Sequence, residues 1–422
     1  MAALRPIIYN LHRLIDRCTS PSPTGVDRVD LHYARFILQK TAERPIYFLR
    51  QRQNVSYLVP FKEAETLINT LEKRWLQGLK LAQPAINTPY NYLRHWPSTR
   101  WRQQAQVLID PALRKHLNNG SKRAIYLHSG HGTLHHIDLH EQIKNQLQAD
   151  MVYYLHDLIP IEFPEYTNNP HAFAMHQRRL KTMATTGKLI LANSEDSRQK
   201  FLAYCKQQQL PKPEVQVLLI GVEDLFIQAA QQAQQAIPSR FAVLTQSPYF
   251  LTIGTIEARK NHLLLLHLWR QLFAELAEAC PKLVILGKRG WKAEHIFHLL
   301  DSSPALQQTV IEIQDANDQE MLSLIQNTQA LLFPSFAEGW GMPLAEALTL
   351  NTAAICSDLP ALRECGRTHS IYLNPLDGLA WKAAILNALN TKPQLKSPYL
   401  PDRWEDHLNK LDELLISLET QF

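Results

Sequence analysis

Residues 331–348, LLFPSFAEGWGMPLAEAL, constrain the fold of this chain more than any other stretch. Leu331, Leu332 and Phe333 make a short apolar run, as expected of a strand covered on both faces in a parallel sheet. A loop with Pro334, Ser335, Glu338, Gly339 and Gly341 follows. Pro343 then opens a helix, where a missing N–H loses no hydrogen bond. A strand, a glycine loop and a helix N-terminus form the element at whose tip open α/β sheets bind ligands, because the first N–H groups of the helix point at anions. Glu338 and Glu346 flank this turn with seven residues between them. Two carboxylates suit hydroxyl groups better than bare phosphate, so the expected ligand is a sugar nucleotide.

At 422 residues the chain exceeds one ordinary core, and two domains of roughly 200 residues are expected. No apolar run reaches the ~18 residues of a membrane-spanning helix, and the N-terminal apolar stretch is broken by His12 and Arg13 too soon for a secretory signal. Five cysteines without a CxxC pair fit a reduced, cytoplasmic setting and argue against zinc. The net charge of +5 is uneven. Arg5, Arg13, Arg17, Arg28, Arg35, Lys40, Arg44, Arg50 and Arg52 face only Asp16, Asp27, Asp30 and Glu43 early in the chain. This reads as a basic face for a phosphate-bearing partner or an anionic membrane surface, or simply as a solvated face.

In chain order, residues 6–9 read as a strand. Pro21, Pro23 and Gly25 form a loop, and Val26, Val29, Tyr33 and Phe36 recur at helical spacing. Gly25 can let a ligand approach the backbone or can serve an ordinary βα loop. One or two strands fall within residues 45–60, with helical patterns to about 118. A strand at 124–127 leads into the loop Ser129-Gly130-His131-Gly132. His128, His131, His135, His136 and His140 crowd this segment. A metal site is the sharp reading, but the spacing matches neither HExxH nor a zinc finger, so contacts to an acceptor are favoured. His156 and Asp157 stand at the C-terminal end of a strand at 152–155, where functional groups collect; a structural histidine is the bland alternative. Asn193-Ser194 caps a further helix with Glu195 and Asp196 in its first turn.

A Gln/Ala-rich piece before Tyr249 marks the domain boundary, placed at residue 240. Beyond it, a strand at 250–253 ends in Gly254-Thr255. Arg259 and Lys260 then precede a helix for which Asn261 is the expected N-cap. Two cations at a helix N-terminus make a diphosphate site. A strand from 282 ends at Gly287. Asp315, Asn317 and Asp318 read as helix capping rather than as a metal-binding acidic motif.

GTIEARKN at 254–261, PSFAEGWGMPLAEAL at 334–348 and HD at 156–157 together resemble the retaining glycosyltransferases of family 4, the group 1 glycosyl transferases, over nearly the whole chain. The resemblance implies the GT-B fold: α/β, with two Rossmann-like doubly wound domains facing across a cleft. Residues 1–240 would bind the acceptor and residues 241–400 the nucleotide sugar, and the terminal helix, within 401–422, would cross back to the first domain. It implies catalytic roles for His156, Arg259, Lys260 and Glu338. Arg259 and Lys260 would hold the donor diphosphate, Glu338 the sugar hydroxyls and Glu346 the ribose. Gly25, Gly254, Gly287, Ser335 and Gly339 would complete the donor site, with backbone N–H groups around Gly341, Met342, Pro343 and Leu344. Arg28, His131 and Asp157 would meet the acceptor. Three positions depart from the family pattern. Trp340 replaces a phenylalanine as an aromatic lid, Gly366 stands alone where two glycines are usual, and Asp27 replaces a glycine near the phosphates.

The expected activity is a retaining, metal-independent transfer of a hexose, mannose first, from a nucleotide-diphosphate donor. The acceptor would be a glycan or lipid-linked glycan in polysaccharide or lipopolysaccharide synthesis. No cofactor beyond the donor, no metal and no nucleic acid are implied. The setting is cytoplasmic, with the membrane face as a peripheral contact. The rivals are a GT-B nucleotide-sugar epimerase or hydrolase and a catalytically silent sugar-nucleotide-binding subunit.

Overall fold

The computed structural model describes residues 4–52, 55–79, 106–108 and 123–420. The chain divides into two compact units, one of Met1–Ile161, Phe173–Leu219 and Glu405–Phe422, the other of Glu162–Ala172 and Ile220–Trp404.

The first unit carries β1 (Ile7–Asn10), α1 (His12–Arg17), α2 (Gly25–Gln39), β2 (Ile46–Arg52), β3 (Val55–Val59), α3 (Phe61–Leu71), β4 (Gln106–Leu108) and β5 (Ile125–His128). It continues with α4 (Ile137–Gln146), β6 (Asp150–Leu155), α5 (Ala172–Thr186), β7 (Gly187–Ala192), α6 (Glu195–Gln207) and β8 (Glu214–Val217). The strands lie in the order β4-β3-β2-β1-β5-β6-β7-β8. β2 and β3 pair antiparallel and the other neighbours pair parallel. α1 was not foreseen between the first strand and Gly25. The helical stretch expected to residue 118 lies beyond residue 79 outside the described residues, apart from β4, which is a strand.

The second unit carries α7 (Asp224–Ala229), β9 (Tyr249–Ile253), α8 (His262–Leu276), β10 (Lys282–Leu286), α9 (Glu294–Ser302), α10 (Pro304–Thr309) and β11 (Val310–Ile313). Then come α11 (Asp318–Asn327), β12 (Leu331–Phe333), α12 (Met342–Thr349), β13 (Ala354–Ser357), α13 (Pro360–Gly366), β14 (Ser370–Leu373) and α14 (Gly378–Asn390). Its sheet is wholly parallel, in the order β11-β10-β9-β12-β13-β14. That is the doubly wound order of dinucleotide-binding folds, whose direction reverses between β9 and β12. β12 is fully buried, as its unbroken apolar run requires. Trp269, Trp381 and Phe250 fill the core between this sheet and its helices. The final helix, α15 (Trp404–Thr420), lies with the first unit from Glu405 onward. There His407 Nδ1 donates to the Leu219 carbonyl at 2.6 Å, Lys40 ion-pairs Asp412 at 2.6 Å and Arg44 ion-pairs Glu419 at 2.7 Å.

The division falls at Leu219 rather than at the expected residue 240. The Gln/Ala-rich segment is tied to α11 of the second unit: Ser323 Oγ donates to the Ala236 carbonyl at 2.9 Å and Asn327 Nδ2 to the Gln235 carbonyl at 2.8 Å. Segment Glu162–Ala172 also belongs there. Trp291 Nε1 donates to the Tyr166 carbonyl at 3.0 Å, and the Tyr166 ring stacks on Phe336 at 6.0 Å. Composition marked a polar stretch, and its backbone and amide bonding made that stretch part of a domain.

Candidate functional site

In the second unit, the switch between β9 and β12 brings two loops side by side, 254–261 and 334–341. They are stitched together. Phe336 N–H donates to the Arg259 carbonyl at 2.9 Å. Asn261 Nδ2 donates to the carbonyls of Pro334 at 3.2 Å and Pro375 at 3.0 Å. Asn261 was expected to cap the helix with its side chain. It instead takes a left-handed backbone (φ 55°), makes no side-chain cap, and spends its amide on these neighbouring loops. Asparagine tolerates that conformation better than most residues.

Arg259, Lys260 and Glu338 meet in one cluster. Lys260 Nζ lies 2.6 Å from Glu338 Oε1 and Arg259 Nη1 3.0 Å from Glu338 Oε2. Arg259 also donates to the Ala337 carbonyl at 2.6 Å and, through Nη2, to Glu257 Oε1 at 2.6 Å. Lys260 Nζ sits 4.6 Å from the centre of the Phe333 ring. Burial alone would raise the Glu338 carboxyl, but Arg259 and Lys260 outweigh it and hold the group at about 2. Burial, opposed by Glu338 and reinforced by Arg259, lowers the Lys260 pKa. The leaving-group cations were expected to work apart from the sugar-reading Glu338. The structure puts all three within hydrogen-bond reach. Glu257, 4% exposed, went unforeseen; its signal was its place two residues before Arg259 in the same loop.

The helix N-terminus is narrower as a donor of hydrogen bonds than expected. Pro343 has no N–H, and Leu344 N–H already donates to the Gly341 carbonyl at 2.9 Å. The N–H groups of Gly341 and Met342 meet no acceptor among the described residues. Gly341 must be glycine: its φ is 115°, and a Cβ would lie 2.7 Å from Leu362 Cδ2. Gly287 has a packing reason, since a Cβ there would overlap the Gly254 carbonyl; Gly254, at φ 141°, lies under the Lys260 stem. Ser335 is fully buried, Gly339 is half-buried at the loop tip, and Glu346 is 5% exposed on α12. Trp340, expected as a lid, is buried at 3% exposure. Asn317 caps α11 in a capping box with Glu320, and Asp315 pairs with Arg240, so the acidic string there is structural.

The first unit has its own switch, between β1 and β5. His156 follows β6 and is 4% exposed. Its Nε2 donates to the Ser129 carbonyl at 2.6 Å, which leaves Nδ1 as the acceptor of a neutral ring. Burial, against the Ser129 bond, lowers its pKa to about 4. Ser129 is held in turn: Tyr9 Oη lies 2.6 Å from its Oγ and 2.6 Å from Asp30 Oδ1, and Ser129 Oγ donates to Asp30 as well. Burial raises Asp30 to about 6. The His131 ring packs edge-on against His156 at 4.8 Å and against His176 at 5.5 Å.

Several expectations for this unit change. Gly25 is the exposed first residue of α2, whose N-terminus is closed by a Thr24–Asp27 capping box. Asp27, fully buried, takes Arg13 at 2.7 Å and Arg17 at 3.2 Å. Asp157 Oδ1 accepts from the Ile159 N–H at 3.0 Å, a local turn contact, and Arg28 is buried on α2. The basic early residues do not form a free face. Arg5 pairs with Asp150, Arg35 with Glu72, Lys40 with Asp412, Arg44 with Glu419 and Arg50 with Asp16. The Arg52 side chain lies outside the described residues. The five histidines also separate. His128 and His140 join a core with Tyr126 and Tyr153, His131 joins His156, and His135 packs tilted against His136 at 4.0 Å. Among the described residues, no three His, Cys, Asp or Glu side chains are grouped to hold a metal ion. Nor is any helix there long and apolar enough to cross a membrane.

Two doubly wound units, the second with paired cations and a carboxylate at its switch point, define a GT-B-type α/β protein. Its fold matches Anabaena HepE in complex with UDP-glucose (TM-score 0.61, 12% identity, 98% of this chain and 99% of that one). It also matches sucrose-phosphate synthase from Thermosynechococcus elongatus (TM-score 0.61, 12% identity, 99% and 100%). Residues 233–394 match the family described as glycosyl transferases group 1. The serotype-specific mannosyltransferase WbdA of Escherichia coli is 31% identical over 133 residues, 32% of this chain and only 16% of WbdA. The O-antigen chain mannosyltransferase B of Escherichia coli is 25% identical over 234 residues, 56% of this chain and 60% of that protein.

Proposed function

We propose that this chain is a retaining, metal-independent glycosyltransferase. It moves a hexose, mannose by preference, from a nucleotide-diphosphate donor to a glycan or lipid-linked glycan acceptor of a surface polysaccharide. The observation that carries the reading is the buried cluster of Arg259, Lys260 and Glu338 beside the unpartnered N–H groups of Gly341 and Met342. The donor diphosphate takes the two cations and these N–H groups, Glu338 turns towards the sugar hydroxyls, and Glu346 receives the ribose. An acceptor hydroxyl oxygen forms the new bond to C1 on the face the diphosphate leaves. The C1–O bond breaks with its electron pair going to the diphosphate, which also takes the acceptor proton. Fixed donors aimed at that growing charge lower the barrier by about 3–4 kcal/mol each. Mannose is chosen because two O-antigen and serotype-specific relatives carry that activity in their names.

The test is single-turnover transfer from GDP-mannose and UDP-glucose to oligosaccharide acceptors, with and without EDTA. Transfer with the anomeric configuration kept and undiminished by EDTA supports the reading. Inversion, or loss of transfer to EDTA that divalent cations restore, refutes it. Release of free sugar or an epimer regardless of acceptor makes the chain a hydrolase or epimerase instead.

A further inference from the structure

A cavity of about 330 Å³ opens in the first unit, lined by His135, His136, Ile137, Asp138, Arg178 and Lys181. It has no part in the cluster of Arg259, Lys260 and Glu338. Three features give it one chemical character. First, it lies over the N-terminus of the ten-residue helix α4, whose N-cap, His136, makes no side-chain cap. The N–H groups of Ile137 and Asp138 meet no acceptor among the described residues, and these are the groups that bind anions at a helix end. Second, Arg178 and Lys181, three residues apart on α5, also line the cavity, and neither ion-pairs with a described carboxylate. The arginines and the lysine of the early chain, Arg5, Arg13, Arg17, Arg35, Lys40, Arg44 and Arg50, are by contrast all paired. Third, the His135 and His136 rings pack tilted against each other at 4.0 Å in the lining, and His135 Nδ1 is buried without a partner. Burial lowers both imidazoles, His135 to about 4, so they are neutral donor-acceptors at pH 7. Asp138 brings the one carboxylate of the lining, exposed at the helix start, and leaves the cavity one positive charge in excess.

We infer that this cavity binds a phosphate-type anion carried by the acceptor. The tetrahedral oxygens would span the two N–H groups and the Arg178 and Lys181 heads, with the imidazoles hydrogen-bonding protonated oxygen or a neighbouring hydroxyl. Arginine and lysine together supply a fork and a point charge for phosphate. The link to the acceptor comes from α5. His176, two residues before Arg178 and on another face of that helix, packs against His131, which packs against His156, so one helix carries part of the cavity and part of the His156 cluster. That assignment rests on the proposed transfer reaction, but the anion site does not.

The experiment reads binding without turnover, using the full chain. Thermal unfolding is followed in sodium phosphate and in sodium chloride of equal ionic strength, for the wild type, Arg178→Ala/Lys181→Ala and Lys260→Ala. Both cavity residues are exposed, so the double variant keeps its fold. Phosphate should raise Tm beyond chloride in the wild type and in Lys260→Ala, and this rise should vanish in the double variant. No rise beyond chloride, or a rise that survives the double substitution, overturns the site. Sedimentation with phosphatidylglycerol vesicles against phosphatidylcholine vesicles then identifies the source. Binding to the anionic vesicles that the double substitution abolishes assigns the site to a lipid-linked phosphate. Phosphate stabilisation without vesicle binding assigns it to a soluble phosphorylated acceptor. Failure of sugar transfer with the phosphate effect intact refutes the transferase reading and leaves the anion site standing.

Discussion

Glu338→Gln tests how the second-unit cluster is held together. The carboxylate touches two cations, and its side chain is 9% exposed. Its pKa is about 2 against an ordinary 4.5. That difference makes the ionised group worth about 3 kcal/mol to the folded state at neutral pH. Lys260 moves the opposite way, its pKa lowered by burial, so holding the cation there offsets part of the gain. The carboxylate is the better guide to the substitution, which removes the anion and leaves Arg259 and Lys260 buried and facing each other. Breaking a buried pair from one side costs about 3–5 kcal/mol, in line with that figure.

The assay is urea unfolding of the wild type and Glu338→Gln at pH 7, 5 and 3.5, with thermal unfolding beside it. The variant should lose about 3 kcal/mol at pH 7, a fall in apparent Tm of about 6–12 °C for a unit of this size. The folded-state pKa lies below the unfolded one, so the contribution is complete above 4.5 and is lost as pH falls from 4.5 towards 2. The gap should therefore narrow to about 2 kcal/mol at pH 3.5 and close only near pH 2. Buried histidines weaken both equally over the same range and drop out of the difference. Equal stability at pH 7, or a gap unchanged down to pH 3.5, would refute the ion-pair account.

Lys260→Ala should lower kcat for sugar transfer by about 10²–10³-fold, measured at saturating donor, because it removes one fixed donor from the leaving group. Gly341→Ala should destabilise the chain by more than about 1 kcal/mol in urea unfolding, since the φ of 115° and the contact with Leu362 both oppose a side chain. His128, His156, His176 and His407 are buried with pKa values lowered to about 3–4, so stability should fall as pH drops from 6.5 to 4, seen as a falling Tm. The kcat–pH profile should show no limb near 6.5 that His156→Gln removes, because His156 is already neutral there; finding such a limb would make it an acid in the reaction.

The second unit was legible because its signals are local. β12 announces itself by an apolar run, α12 by Pro343, and the ligand end of both by glycines that the backbone demands. Arg259 and Lys260 could be placed before a helix from spacing alone. Their distance to Glu338 could not, because 78 residues and a change of strand order separate them. Only the return of β12 beside β9 closes that gap. The first unit was harder for the opposite reason. Its histidines and arginines are close in sequence but face different ways: His128 and His140 into the core, His135 and His136 towards α5. A count of basic residues in the early chain predicted a charged face, whereas partners such as Asp150, Asp412 and Glu419 arrive from far along the chain. Charge composition carries no record of such long-range pairing.

The cluster at the second switch point is nearly neutral as it stands. Arg259 and Lys260 are matched by Glu257 and Glu338, and both cations are more than four-fifths buried. On the proposed reading a diphosphate therefore does not meet two waiting charges. It must exchange with Glu338, and the exchange is favourable only if the displaced carboxylate finds new partners. Sugar hydroxyls are such partners, because they donate to a carboxylate and cost no charge of their own. Inorganic diphosphate offers none. A nucleotide sugar supplies the anion and the hydroxyls together, whereas the nucleotide alone supplies the anion and leaves Glu338 buried and unpaired. On the proposed reading the same carboxylate makes the cluster discriminate in favour of a donor that still carries its sugar.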